Sequence, residues 1–82
     1  MDEFVKVINV RLEIKDNDVI LYGTNIKTNE EIEIIRSNIY KKEYFERTLG
    51  CIDINKPISI ELIKCLIFYI EKQHKGRNDN FC

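Results

Sequence analysis

The sequence predicts an α+β fold, a small sheet of three to four strands flanked by helices. Short segments rich in β-branched residues and separated by polar turns fill the first 36 residues. Two segments with the apolar periodicity of helices follow, separated by a short alternating stretch. At 82 residues the chain has room for one domain. We therefore expect a single domain over residues 1–76 and a polar tail over residues 77–82.

Composition and charge narrow the classes of function. Hydrophobic residues make up 44% of the chain and charged residues 33%, and the net charge is -1. This balance gives no electrostatic reason to expect contact with nucleic acid or with anionic lipid. The first residues lack the basic region of a signal peptide, and no apolar run approaches the ~18 residues of a membrane span. We expect an intracellular protein of the cytoplasm or nucleus, without membrane contact.

Residues 4–14 carry two competing patterns. Alternation of apolar and charged residues towards Ile14 favours a strand, whereas Phe4, Ile8 and Leu12 share one side of a helix. The three valines in this segment disfavour a helix, because branching at Cβ restricts their side chains there. A strand is the preferred interpretation, and as a strand the segment would pair with residues 19–26 or with a partner's edge.

Two further strands are predicted with better-defined turns. Residues 15–18 have the composition of a turn, and residues 19–26 begin with a nearly continuous apolar run that is typical of a strand buried on both faces. Residues 27–30 form the next turn. Residues 31–36 alternate and predict a half-buried strand antiparallel to the one before it.

A first helix and a fourth strand should follow. Ser37 or Asn38 has the side chain to cap a helix that runs to about Leu49, with Gly50 as its stop. On this helix we expect Phe45 in the core and one of the two tyrosines, Tyr40 or Tyr44, at the surface. The alternating residues 51–54 predict a short strand.

The second helix, over residues 58–73, has more apolar surface than one core requires. Its apolar residues sweep an arc of roughly 200°, about twice the width that a helix on a single core needs. Ser59 is the expected cap, and Gly76 the expected stop. Phe68 falls among charged residues on the face that should be solvated. Either the amino-terminal segment of this chain or another chain must therefore cover it.

Five motifs follow one another over roughly residues 18–75. They are Asp18-Val19-Ile20-Leu21, Glu31-Ile32-Glu33-Ile34, Tyr40-Lys41-Lys42-Glu43-Tyr44-Phe45-Glu46-Arg47-Thr48-Leu49, Ile52-Asp53-Ile54, and the helix Ile60–Ile70 with its Leu-Ile-Phe-Tyr-Ile sequence. Their order and spacing resemble those of a BTB/POZ domain, in which the segment that Ile52-Asp53-Ile54 resembles is a strand that pairs back into the sheet. The tail of the last helix, residues 69–75, is also similar to the corresponding segment of elongin C and of the S-phase-kinase-associated cullin adaptors. The resemblance implies a member truncated at its C-terminus, whose long helix stays bare on one side because the covering helices are absent.

The resemblance implies a non-enzymatic protein–protein interaction module, an adaptor or oligomerisation domain of the cullin ubiquitin-ligase type. Its expected partner is a protein, which includes a second copy of the chain or a cullin-type scaffold. No cofactor, metal or small-molecule substrate is expected. The alternative function is a structural subunit of a larger assembly, for example a viral one. The candidate partner-binding residues are Phe68, Leu62, Tyr69, Tyr44 and Phe4.

The cysteines and the glutamates of residues 31–33 each have a simpler interpretation than a catalytic or metal site. Three cysteines without a CxxC spacing fit neither a disulfide framework nor a zinc site. We expect Cys51 and Cys65 in the core, whereas an enzyme fragment would need one of them beside His74. Glu31 and Glu33 share one face of a strand, which is more typical of a solvated sheet face than of a metal site.

Overall fold

A computed structural model of the chain describes the backbone of residues 5–81 and the side chains of residues 5–73. It confirms the α+β class and shows a four-stranded antiparallel sheet together with two helices. The elements are β1 Lys6–Lys15, β2 Asp18–Asn25, β3 Glu31–Asn38, a 3₁₀ turn Ile39–Lys41, α1 Lys42–Cys51, β4 Ile58–Ser59 and α2 Ile60–Phe81. The strands lie in the order β3-β2-β1-β4 across the sheet. Residues 4–14 were the ambiguous segment, and residues 6–14 belong to β1, which pairs with β2.

Both predicted turns of the sheet are confirmed. A two-residue loop joins β1 to β2 between the paired residues Lys15 and Asp18, and Asp16 in this loop has φ 57°. In the β2–β3 turn Asn29 has φ 66°, and its N–H donates to the carbonyl of Asn25 at 2.7 Å. Asp and Asn tolerate this left-handed conformation better than other non-glycine residues, which explains their use at both turns.

One irregularity in β1 connects the sheet to the segment between the helices. The β1–β2 register shifts between Ile8 and Arg11, so β1 carries an extra residue there. Asn9 lies in this bulge with φ 55°, and its N–H donates to the carbonyl of Ile54 at 2.6 Å. A bulge redirects backbone groups away from the ladder. Here it attaches the connection between α1 and β4 to the sheet.

The hydrophobic core lies between one face of the sheet and the two helices. Val19 and Leu21 point to this face, whereas Ile20 points to the opposite face and is also fully buried. Residues 19–21 are therefore buried on both faces, as predicted. Phe45 is in the core, as expected. The core residues are Val7, Val10, Val19, Leu21, Ile34, Phe45, Ile63 and Ile67.

The start and the end of α1 differ from the prediction. Strand β3 continues to Asn38, whose side chain caps the 3₁₀ turn by accepting from the Tyr40 N–H at 3.0 Å. Only after this turn does α1 begin. Gly50 does not stop the helix, because its φ is not positive and α1 continues to Cys51. The extended backbone of Ile52 ends the helix instead.

The predicted strand at residues 51–54 is wrong, and α2 is longer than predicted. Residues 53–57 form a loop, and the short β4 takes the position beside β1. Ser59 is the cap of α2, as predicted, since its Oγ accepts from the Glu61 N–H at 3.1 Å. The helix passes Gly76, the predicted stop, and ends at Phe81. A glycine inside a helix costs only about 1 kcal/mol, so it need not end one.

Candidate interaction surface on the second helix

The second helix has one buried side and one exposed apolar side. Ile63 and Ile67 are buried in the core, whereas Leu62 is 50% exposed, Phe68 61% and Tyr69 59%. The excess of apolar residues predicted from the sequence is thus present at the surface. We call the exposed side the α2 outer face. It comprises Glu61, Leu62, Cys65, Phe68, Tyr69, Lys72 and Gln73.

Helical geometry places Cys65 at the centre of the α2 outer face. At about 100° per residue, Cys65 points directly away from the mean direction of Ile63 and Ile67. Leu62 and Tyr69 are seven residues apart and lie on one side of Cys65. Phe68 lies on its other side, about 100° around the helix from Tyr69. The predicted residues Leu62, Phe68 and Tyr69 therefore share one face, on which they flank the cysteine.

A shallow groove extends the apolar surface beyond Leu62. It has a volume of about 350 Å³ and lies between α2 and the segment that connects α1 to β4. Sequence reasoning missed this groove, because its two walls are separated along the chain and only the fold brings them together. Its apolar lining comes from Ile52, Pro57, Ile58, Leu62 and Leu66.

On the other side of the face, an ion pair lies beside Phe68. The Lys41 ammonium group contacts the Glu71 carboxylate, whose side chain is only 13% exposed, and this pair links the 3₁₀ turn to α2. Together with Phe68 and Lys72 the pair lines a shallow depression. The alternative for Phe68 was that it packs under the amino-terminal segment. With 61% of its surface exposed, Phe68 is not covered in this way by any of the described residues.

The remaining partner-binding candidates lie elsewhere. Tyr44 lies on α1 and is partly buried against the core, so it is not part of the α2 outer face. Phe4 lies outside the described residues. Tyr40 is 89% exposed in the 3₁₀ turn, which confirms the prediction that one of the two tyrosines is at the surface.

Both described cysteines are free and exposed, which corrects the prediction that they face the core. Cys65 is two positions from each of the buried residues Ile63 and Ile67, and a two-residue step on a helix turns the side chain to the far side. Cys51 is the last residue of α1. The side chain of His74 lies outside the described residues.

The sheet face opposite the helices is covered by a charge network around Arg11. The guanidinium group donates to Glu31 through Nε at 2.7 Å and Nη2 at 2.9 Å, and to Glu13 through Nη1 at 3.0 Å. It also lies 4.6 Å from the ring centroid of Tyr22. The hydrogen bonds with Glu31 and Glu13 raise the pKa of Arg11, and the bond from Arg11 lowers the pKa of Glu31.

A second arginine completes the network on this face. Arg36 pairs with Asp18 at 3.1 Å and with Glu33 at 3.2 Å, and these bonds, led by the one to Glu33, raise its pKa. Glu13 and Arg36 are the in-register neighbours of the buried Ile20. The charged groups of this face thus bond to one another. Glu31 and Glu33 take part in ion pairs on this sheet face. Of the two interpretations of these residues, a solvated sheet face or a metal site, the ion pairs favour the first.

The described residues show no other type of site. Among them, no three His, Cys, Asp or Glu side chains come together in a way that would hold a metal ion. Within the same part of the chain, neither helix combines the length and the apolar character of a membrane span. No protein-family model, curated protein or solved structure matches this chain.

Proposed function

We propose that this chain is a non-enzymatic protein–protein interaction module of the BTB/POZ type, an adaptor that binds a cullin-type scaffold or another protein through the α2 outer face. One observation carries the proposal. Leu62, Phe68 and Tyr69 are each at least half exposed on a helix whose opposite side fills the core. Clustered exposed apolar side chains of this size are typical of interaction surfaces.

The chemistry of the α2 outer face suits protein binding. Burial of apolar surface contributes about 25 cal/mol per Å² before the costs of association are subtracted. Tyr69 and Phe68 are aromatic anchors, and aromatic residues are enriched in the cores of interfaces. The sheet face opposite the helices is less suited to binding a partner, because its arginines are already bonded to carboxylates of the same chain.

The positions of the motifs support the BTB/POZ type. The motif that begins at Asp18 opens β2, and the alternating motif that begins at Glu31 opens β3. The Lys-Lys-Glu-Tyr-Phe motif falls on the 3₁₀ turn and α1, and the Leu-Ile-Phe-Tyr-Ile motif falls on α2. The segment from Ile52 to Ile54 departs from the family pattern, because it is a loop here.

The free thiols of Cys51 and Cys65 suit a reducing compartment, so we propose an intracellular location.

Titration with the amino-terminal domain of a cullin tests the proposal. We expect saturable binding of the unchanged chain in isothermal titration calorimetry. The double variant Leu62→Ser/Tyr69→Ser should weaken binding at least about tenfold, since it removes two apolar anchors. Ile14→Thr is the matched control, because Ile14 is 46% exposed on β1 and is not part of the α2 outer face, so its variant should bind like the unchanged chain. Absence of binding by the unchanged chain would refute the cullin-adaptor role.

A further inference from the structure

We infer that the α2 outer face binds a second copy of this chain, through antiparallel pairing of two α2 helices about a two-fold axis close to Cys65. The inference rests on the proposed function in one respect, that this face is the protein-binding surface. It goes further by committing to one of the expected partners, a second copy, and by giving the arrangement in which the two copies pair.

The apolar residues of the face are complementary to themselves in this arrangement. Leu62 and Tyr69 have their midpoint between Cys65 and Leu66. An antiparallel two-fold pair centred there places Leu62 of each copy opposite Tyr69 of the other. A two-fold interface repeats each contact, so one chain supplies both partners of both contacts.

The charges of the face are complementary in the same arrangement. Glu61 and Lys72 are eleven residues apart, about three turns, so both point within about 40° of Cys65, on the side of Phe68, and they lie at opposite ends of the face. The midpoint of Glu61 and Lys72 is one residue from the midpoint of Leu62 and Tyr69. Antiparallel pairing therefore brings Glu61 of each copy beside Lys72 of the other. Parallel pairing would leave these two charges about 16 Å apart along the helices.

Both charges are available for this contact. Glu61 and Lys72 are exposed, and neither side chain forms an ion pair with the residues whose side chains the structure describes. Glu71 of the same helix, by contrast, is already paired with Lys41. Complementary charges at the rim of an apolar contact fix its orientation more than its strength.

The central position of Cys65 makes the arrangement measurable. Packed helices have axes 8–10 Å apart, and Cα atoms lie about 2.3 Å from each axis, so facing Cα atoms approach to roughly 3.4–5.4 Å. A disulfide has a Cα separation of about 4.4–6.8 Å, which overlaps the upper part of this range. Two Cys65 residues that face each other near the two-fold axis are therefore within reach of a disulfide bond.

Disulfide trapping tests the pairing directly. One variant keeps Cys65 alone, with Cys51→Ser and Cys82→Ser, and the matched control keeps Cys51 alone, which is also exposed. Diamide accepts two electrons and two protons as two thiols form one disulfide. We expect most of the Cys65-only chain to become a covalent dimer and most of the Cys51-only chain to stay monomeric. Equal dimer yields from the two variants would overturn the inference.

A charge exchange tests the orientation without covalent chemistry. Glu61→Lys should weaken self-association about tenfold in sedimentation equilibrium, because it places like charges together at both ends. Glu61→Lys/Lys72→Glu restores opposite charges and should restore self-association. A double variant as weak as the single one would contradict antiparallel pairing.

The two proposals fail in different ways. A chain that binds the cullin domain but sediments as a monomer at all concentrations retains the proposed function and refutes the second-copy inference. A chain that dimerises through Cys65 but does not bind the cullin domain supports the inference and removes the cullin-adaptor role.

Discussion

Gly23 on β2 lies directly against Val7 on β1. A Cβ atom at position 23 would be 2.8 Å from Cβ and 2.9 Å from Cγ2 of Val7, and 3.0 Å from Cδ1 of Ile34. Val7 and Ile34 both belong to the core. Gly23 is therefore required by the close approach of core side chains to the β2 backbone, since its own φ is not positive.

Gly23→Ala should destabilise the domain by about 1–3 kcal/mol, because an added methyl group forces well-packed neighbours apart. The clashing atoms of Val7 include its Cβ, which cannot move by a change of rotamer. The midpoint of urea unfolding, followed by circular dichroism, measures the effect. An unchanged midpoint would show that the β1–β2 pair opens more easily than its packing indicates.

Gly50→Ala should have the opposite effect. Gly50 lies within α1, its φ is not positive, and no atom lies within 4 Å of a Cβ built there. Alanine is favoured over glycine in a helix by roughly 0.5–1 kcal/mol. We expect a corresponding rise of the unfolding midpoint in the same assay. A fall would mean that Gly50 acts as the helix stop that the sequence suggested.

The sheet was predictable because its signals are local. Alternation of apolar and polar residues marks β3, and the apolar run that opens β2 follows from burial on both faces. The turns at Asp16 and Asn29 were also readable, since these residue types tolerate positive φ. The exposed apolar side of α2 followed from its periodicity alone.

Features that depend on contacts between distant residues were not predictable. Residues 51–54 alternate like a strand, but the backbone of β1 is bulged at Asn9 and offers Ile54 a single hydrogen bond. Arg11 and Glu31 are twenty residues apart and meet only through the register of the sheet. Cys65 lies at the centre of the α2 outer face because Ile63 and Ile67 pack into the core. Which side of the helix is buried depends on its packing against distant residues.

Stability should depend on pH through the Arg11–Glu31 pair. The pKa of Glu31 lies below its ordinary value of 4.5, chiefly because Arg11 donates hydrogen bonds to it. A carboxylate with a lowered pKa in the folded state stabilises that state above its ordinary pKa. This contribution is lost as the pH falls through the folded-state value.

Glu31→Gln should therefore be less stable than the unchanged chain at neutral pH, and the difference should shrink as the pH falls below the ordinary pKa of 4.5. Urea midpoints at several pH values measure it. Glu30→Gln is the control for net charge, because it removes a neighbouring carboxylate without affecting the bonds of Arg11. Added salt should reduce the effect, since the pair is exposed. A difference that stays constant with pH would exclude an ionic contribution from Glu31.

Substitutions on the two sides of α2 should differ in their effect on stability. Ile67 is 2% exposed, so Ile67→Ala should cost about 2–5 kcal/mol through lost contacts and a cavity. Leu62→Ser removes a side chain that is 50% exposed, so it should cost the monomer only about 1 kcal/mol, less than Ile67→Ala. Urea unfolding at low protein concentration separates this effect from self-association. A cost for Leu62→Ser in dilute solution as large as that of Ile67→Ala would mean that Leu62 supports the fold rather than an interface. It would remove one of the three apolar residues on which binding through the α2 outer face rests.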